Sequence, residues 1–241
     1  MTMLNSKIEG RKSESGNVLF LILIAVALFA ALSYAVTQST RSGGGDAGRE
    51  TTLVNAASIT QYPASVKTAI TRMVVSSSID PNDLKFDPPS NFAALTTDVL
   101  KAQSVFYPTT STGGGGGASY VYAPANVMES GAAGTWHFNG ANEVQNIGLS
   151  GGGATEADVI AFLPNVKQAV CQSIHAKLGL STSIPDLTAA TIDYTSDMTV
   201  GVPNITGTGG VITDAILDAQ PQGCFEGAAN VYVYYHVLVE R

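Results

Sequence analysis

Hydrophobic residues follow three patterns along the chain, and the first is an uninterrupted apolar run near the N-terminus. Val18 to Leu32 contains no polar side chain, and the stretch extends through Ser33 and Tyr34 to Val36. About 20 apolar residues in a helix match the thickness of a hydrocarbon core. The run contains neither Pro nor Gly, so its backbone groups can bond within the helix. It therefore predicts a membrane-spanning helix, which we bound at residues 17–41.

The second pattern is that of an amphipathic helix and begins near Glu50. Before it, the stretch SGGGDAG at 42–48 predicts a break in the first helix or its release from the membrane surface, because consecutive glycines are poor helix formers. Pro63 predicts a kink or a new helix start. Apolar residues recur three and four positions apart, as one helix face requires: Ile59, Tyr62, Val66, Ile70 and Met73. This face is expected to contact a β-rich domain or, alternatively, neighbouring subunits.

The same periodicity predicts another helix in the second half of the chain. Pro164 suits the first position of this helix, which is expected to run to Leu178 and to end before Gly179. Thr155 and Asp158 have the spacing of a capping box, which predicts one short turn just before it. The apolar face of this helix consists of Leu163, Val166, Val170, Ile174 and Leu178.

The third pattern is the alternation of a β-strand, which is clearest in the sequence NVYVYYHVLVER at 230–241. One face of this strand is apolar except for one phenol and is expected to cover a core: Val231, Val233, Tyr235, Val237 and Val239. Shorter strands are expected at Ser104–Tyr107, Ser119–Tyr122, Thr135–Phe138 and Val144–Leu149, after a turn-rich stretch at 79–91. The order of elements predicts an α+β fold. A long hydrophobic helix precedes a linker and amphipathic helix at 42–78 and a mixed α/antiparallel-β head domain at 79–241.

The charge of the chain is low in density and acidic in sign. Only 13% of residues are charged, and the net charge is −7. Residues 1–16 carry three basic and two acidic side chains, so the rest of the chain carries −8. Such a chain repels phosphate backbones, and nucleic acid is therefore not expected as a partner. Because the basic residues precede the apolar run, the N-terminus is expected in the cytoplasm and the head outside it.

Cys171 and Cys224 are the two cysteines of the chain. In an oxidising compartment such a pair predicts a disulfide that closes the head domain. Closure of a loop of this length stabilises a fold by about 4 kcal/mol through chain entropy. The alternative is a catalytic cysteine with His175 one helical turn away, but a second thiol available for pairing disfavours it.

No motif in the sequence predicts an enzyme. The histidines His137, His175 and His236 are scattered and lack the spacing of a zinc site. Ser150 lies in a G-x-S-x-G match at 148–152, but the glycines that follow it predict a flexible loop rather than a nucleophile elbow.

The remaining candidate sites have ordinary structural interpretations. The Gly-rich runs at 113–117 and 207–210 lack the Lys and Ser/Thr of a phosphate loop and are interpreted as linkers. Asp193, Asp197 and Asp214 lie in loop-like sequence where calcium is possible, although their spacing matches no calcium loop. We therefore expect no cofactor and no metal.

The junction between the leader and the apolar run resembles a known signal. A short basic leader ends at Gly16, and the apolar run follows almost at once, with Asn17 between them. This arrangement resembles the class III signal of type IV pilins and pseudopilins, in which prepilin peptidase cuts after Gly on the cytoplasmic side and the apolar helix is retained. The resemblance implies a leader at 1–16 and a mature chain that begins at Asn17.

The resemblance also implies a structural function. The helix would hold the subunit in inner-membrane lipid with its head in the periplasm, and would later pack among the helices of other pilin-like subunits in a filament or a type II secretion pseudopilus. A C-terminal disulfide loop also resembles pilins. The residues implied as the assembly surface are Leu19, Phe20, Leu21, Ile22, Leu23, Ile24, Leu28 and Phe29.

Two positions depart from the usual pattern of that family. Asn17 stands where the first mature residue is usually apolar, and Leu21 stands where the fifth is usually Glu. That Glu is thought to pair with the N-terminus of a neighbour, and the minor pseudopilin at the tip of type II pseudopili also lacks it. The resemblance therefore implies a minor subunit. Two alternatives stay open, a single-pass anchored periplasmic binding domain that keeps its leader, and a secreted soluble protein cleaved after Ala35.

Overall fold

The computed structural model describes residues 15–149, 157–201 and 209–241. The chain divides into two compact units, residues 1–50 and 51–241. The first described element, helix α1, runs from Ser15 to Ser77, and its last part belongs to the second unit. The predicted leader, residues 1–16, lies almost wholly outside the described residues.

The second unit is an α+β domain, as the sequence predicts at this coarse level. Two short 3-10 helices, Pro81–Asp83 and Pro89–Ala94, follow α1. The remaining elements are α2 (Asp98–Gln103), β1 (His137–Asn139), β2 (Glu143–Val144), β3 (Val159–Leu163), α3 (Gln168–Leu178), β4 (Val211–Ile212), β5 (Gln222–Ala228) and β6 (Val231–Val239).

The main sheet has four antiparallel strands in the order β1-β3-β6-β5. The predicted terminal strand, β6, is confirmed and lies inside the sheet, paired with β3 on one side and β5 on the other. Strands β5 and β6 form a hairpin in which Asn230 takes a φ of +60°, a conformation that Asn tolerates better than most residues. A separate pair joins β2 and β4 in parallel.

Both faces of the sheet are buried, whereas the sequence indicated one core face. On one face, Tyr234 and Leu238 of β6 pack in a core that includes Ile59, Val66 and Ile70 of α1. On the other face, a second core joins residues of the main sheet to residues outside it, such as Leu187, Ile192 and Leu217. Its members in the main sheet are Ile160, Phe162, Phe225, Val233, Tyr235 and Val237. The buried face of α1 therefore contacts the head domain, the first of the two predicted contacts.

Helix α1 continues through residues 42–48, where the sequence predicted a break or a release from the membrane surface. Glycine lowers helix stability by about 1 kcal/mol per residue, but it keeps the backbone N–H that the helix needs. Because helical residues lie on both sides of the glycines, the backbone hydrogen bonds of α1 continue through them. Pro63 also lies inside α1, so no new helix starts there. The boundary between the two compact units falls between Glu50 and Thr51.

Helix α3 begins later than the sequence predicted. Pro164 follows strand β3 directly, and Asn165 turns the chain with a φ of +63°. The helix then starts at Gln168 and ends at the predicted position, with Gly179 in the left-handed conformation at its C-terminus. Leu163, assigned to the helix from its spacing, is the last residue of a strand.

Several short strands also differ from prediction. The stretch Ser104–Tyr107 contributes a single bridge, between Ser104 and Lys85, and Ser119–Tyr122 forms no strand. Of the predicted strand Thr135–Phe138, only His137 and Phe138 belong to a strand, β1. Of the predicted strand Val144–Leu149, only Val144 does, as the last residue of β2. The segment Ser104–Tyr107 is held instead by loop hydrogen bonds, such as those that its carbonyls accept from the N–H groups of Gly116 and Gly117.

The Gly113–Gly117 run packs closely against its neighbours, which corrects its interpretation as a linker. The N–H of Gly116 donates to the carbonyl of Ser104 (2.9 Å), and that of Gly117 donates to the carbonyl of Tyr107 (2.8 Å). A Cβ on Gly115 would lie 2.3 Å from the carbonyl oxygen of Ser104. Glycine is therefore needed here because the backbone approaches another segment too closely for a side chain.

Candidate functional site

The most distinctive surface of the protein is the exposed apolar segment of α1. Val18–Thr37 spans 20 residues with a mean hydropathy of 2.7, and none of it is buried within the protein. Thr37 donates its hydroxyl to the carbonyl of Ser33 (2.7 Å), so this polar group bonds inside the helix. By length and composition the segment can cross a membrane. It is the single helix of this kind found in the described part of the chain.

The apolar side chains surround this segment on every side. Six consecutive residues, Leu19 to Ile24, advance by 100° each and so face all directions around the axis. A helix that is apolar all round requires lipid or other apolar helices around it. The residues predicted to form the assembly surface all lie here and are all exposed: Leu19, Phe20, Leu21, Ile22, Leu23, Ile24, Leu28 and Phe29.

The predicted processing junction lies at the start of α1. The backbone of Gly16 and Asn17 is helical, within the first residues of the element. Leu21 occupies one of the exposed positions, with 59% of its surface accessible. Between Val18 and Val36 the sequence has no acidic side chain. Contacts along this segment therefore depend on shape and apolar packing rather than on a charge pair.

The predicted disulfide is present in the head. Cys171 of α3 is bonded to Cys224 of β5, with 5.6 Å between the two Cα atoms. Both residues are fully buried. The bond fixes the helix to an edge strand of the main sheet. Cys171 is therefore a structural residue here, not a free thiol.

His175 supports the same connection through two hydrogen bonds. Its Nε2 accepts a bond from the backbone N–H of Cys224 (2.9 Å), and its Nδ1 donates to the carbonyl of Ser181 (2.8 Å). This arrangement requires a neutral imidazole with the proton on Nδ1. Burial lowers the pKa of His175, which favours the same neutral form. Both ring nitrogens are occupied, so His175 holds α3 and β5 together.

The other two histidines are also bonded within the fold. His137 Nδ1 lies 3.0 Å from a carboxylate oxygen of Asp197, whose other oxygen accepts the N–H of Phe138. His236 Nδ1 lies 3.1 Å from the hydroxyl of Tyr234. Burial, together with the nearby charge of Lys67, lowers the pKa of His236 to about 4. These contacts place the histidines in three separate locations.

The predicted loop carboxylates bind backbone N–H groups. Asp193 accepts bonds from Thr195 and Ser196, and Asp214 accepts one from Ile216. Within the three described ranges, no group of three or more His, Cys, Asp or Glu side chains could hold a metal ion. Ser150, the possible nucleophile, lies outside the described residues. The calcium and enzyme expectations thus stay predictions.

A buried carboxyl was missed in the sequence. Asp158 is fully buried, and its two oxygens accept bonds from the N–H groups of Val144 (3.0 Å) and Arg241 (3.2 Å). Burial raises the pKa of Asp158 to about 6, and the nearby Glu143 adds to the shift. The sequence suggested only a helix-capping role for this residue. Its actual partners lie 14 and 83 positions away along the chain, so the spacing of a helix cap gave no signal for them.

No protein-family model, no curated protein and no solved structure matches this chain.

Proposed function

We propose that the protein is a minor pilin-like or pseudopilin-like subunit. Its apolar α1 segment would hold it in the inner membrane before assembly and pack among similar helices afterwards. The observation that carries this proposal is that Val18–Thr37 is apolar on all sides and wholly exposed. Such a surface requires lipid or other apolar helices around it, and a membrane-held subunit that joins a helical bundle has both in turn.

The continuity of α1 supports a role for this helix in both membrane and head. The same 63-residue helix supplies the exposed apolar segment and, further along, a buried face in the core of the head. The disulfide and the bonds of His175 add cross-links inside the head.

The processing step gives the sharpest test of the proposal. The chain would be expressed in a bacterial host with and without a prepilin peptidase, and its mature mass and N-terminus measured in membrane and sheared-surface fractions. We expect a chain that begins at Asn17, N-methylated, only when the peptidase is present. Gly16→Ala should block this cleavage, and Gly10→Ala is the matched control, since it makes the same change within the leader.

Each other outcome contradicts the proposal and favours a specific alternative. A mature chain beginning at Val36 would make the protein a secreted soluble protein. An intact leader in the presence of active peptidase would make it a simple anchored periplasmic domain. Normal processing of Gly16→Ala would remove the pilin-like interpretation of the junction.

A further inference from the structure

A surface cavity lies between the last part of α1 and the Gly-rich segment. Its volume is about 320 Å³, near the lower end of the range for small-ligand sites. Two small alanines complete a lining that otherwise consists of Ser65, Thr68, Arg72, Gly116, Gly117 and Ser119. All of these residues belong to the same compact unit of the chain.

Arg72 supplies the one charge in this lining. Its Nη2 donates to the carbonyl of Gly116, so one edge of the guanidinium is held by the wall of the cavity. An arginine has five N–H donors in a planar fork, and most of them remain for a ligand. The described residues that line the cavity include no carboxylate, although the chain as a whole carries a net charge of −7. The lining of the cavity is therefore basic, although the protein as a whole is acidic.

The hydroxyl groups in the cavity are oriented to accept hydrogen bonds. Ser65 donates its hydroxyl hydrogen to the carbonyl of Tyr62 (2.7 Å), and Thr68 donates to that of Ala64 (3.0 Å). Each hydrogen is therefore used within α1, and the lone pairs of the oxygens remain for a donor. A ligand that bonds to them must itself carry hydroxyl or amine hydrogens.

We infer that this cavity binds a small polyhydroxylated carboxylate, that is, an acidic monosaccharide of the uronic-acid class. The carboxylate would pair with the fork of Arg72, because planar bidentate pairing is the preferred recognition of a carboxylate by arginine. The sugar hydroxyls would donate to Ser65 and Thr68. This inference is independent of the function proposed for the apolar segment, since it uses residues of the second compact unit alone.

The test is a binding titration of the full-length protein in detergent micelles. Glucuronate is the probe, and the readouts are the NMR signals of the Arg72 Nε–H and of the Gly116, Gly117 and Ser119 amides. Glucose has the hydroxyls without the carboxylate, and acetate has the carboxylate without the hydroxyls. We expect saturable shifts with glucuronate and binding weaker by about tenfold or more for each of the other two.

Variants separate the two halves of the site. Arg72→Gln removes the charge and should weaken glucuronate binding about tenfold or more, because charge-assisted hydrogen bonds are the strong ones. Thr68→Val removes one hydroxyl while leaving the contact between Arg72 and Gly116, and should weaken binding several-fold. Lys101→Gln is the control, since Lys101 is a cation of the head outside the cavity lining.

Three results would overturn the inference. The first is the absence of saturable shifts with glucuronate in the unaltered protein. The second is equal affinity for acetate and glucuronate, which would leave no role for the hydroxyl groups. The third is unchanged binding in both Arg72→Gln and Thr68→Val. Because Thr68→Val leaves Arg72 and its hydrogen bond to Gly116 in place, a folding defect in the arginine variant does not obscure the answer.

Discussion

The imidazole of His175 and the backbone N–H of Cys224 are joined by a 2.9 Å hydrogen bond beside the disulfide between Cys224 and Cys171. The bond lies in the interior, where His175 has no accessible surface. A helix and an edge strand are therefore connected twice at one place, once covalently and once through a neutral side chain. This part of the head is expected to resist unfolding more than its surface loops.

His175→Leu should destabilise the head by about 1–3 kcal/mol, because the buried N–H of Cys224 loses its acceptor. The measurement is urea unfolding of the full chain in micelles, followed by fluorescence of Trp136, which is the single tryptophan and is buried in the head core. Gln172→Leu is the control, since Gln172 is exposed on the same helix. Equal stability of the two variants would show that the hydrogen bond contributes nothing.

Asp158 and His236 predict opposite dependences of stability on pH. The pKa of Asp158 is raised to about 6, so the folded state favours its protonated form. The stability that Asp158 contributes to the folded state is therefore fully present below its unfolded pKa of about 3.9, and it is lost as the pH rises through about 6. The pKa of His236 is lowered to about 4, so the folded state favours the neutral ring. That preference supports stability above about pH 6.5, and the support is lost as pH falls toward 4. His175, whose pKa is also lowered, acts in the same direction.

The pH prediction is tested by differences between variants. Asp158→Asn removes the carboxyl titration and adds a pH-independent cost for the altered hydrogen bonds. The free energy of unfolding of the unaltered protein, minus that of Asp158→Asn, should therefore fall between pH 4 and pH 6.5 by about 1–2 kcal/mol. The same difference for His236→Gln should rise over this range. Parallel curves for all three proteins would contradict the shifts in pKa.

The exposed apolar segment predicts membrane insertion that one charge can disturb. Leu28 lies near the middle of Val18–Thr37 and is 66% exposed. An arginine at the centre of a spanning helix costs about 3 kcal/mol of insertion free energy. Leu28→Arg should therefore increase the fraction of protein released from membranes by alkaline carbonate.

The matched control for this measurement is Val54→Arg. Val54 is 68% exposed and lies on α1 in the second compact unit, so a charge there should leave membrane retention unchanged. Equal retention of Leu28→Arg and the unaltered protein would show that the apolar segment does not reside in the lipid core.

The elements with strong periodicity could be predicted, and those determined by distant contacts could not. The face of α1 from Ile59 to Met73 and the strand β6 were both apparent from spacing. Strand β3 was missed because all five of its residues are buried, and a strand covered on both faces has no alternation. The second core face of β6 was missed because Tyr234 looks polar in sequence, whereas its hydroxyl is bonded to Gln222 inside the fold.

The candidate sites show the same division. The apolar segment and the cysteine pair follow from composition and spacing alone. The cavity beside Arg72 could not be predicted in this way, because its opposite wall comes from Gly116, 44 positions further along the chain. The close packing of the Gly113–Gly117 run depends in the same way on residues 104–109, and composition alone indicated a flexible linker.

Two glycine-to-alanine changes separate a packed glycine from an unpacked one. At Gly115 a Cβ would meet the carbonyl oxygens of Ser104 and Lys101 at 2.3 and 2.6 Å, and backbone atoms cannot move aside as a flexible side chain can. Overpacking of this kind costs about 1–3 kcal/mol. At Gly48, inside α1, a Cβ would meet nothing within 4 Å.

Gly115→Ala should therefore lower the melting temperature of the head, whereas Gly48→Ala should stabilise helix α1 by about 0.5–1 kcal/mol through reduced backbone entropy. Fluorescence of Trp136 reports the first change, and circular dichroism at 222 nm of the full chain in micelles reports the second. A Gly115→Ala protein as stable as the unaltered one would mean that the Gly-rich run is a linker after all. A Gly48→Ala protein with no gain in helix stability would contradict the helical conformation of Gly48 within α1.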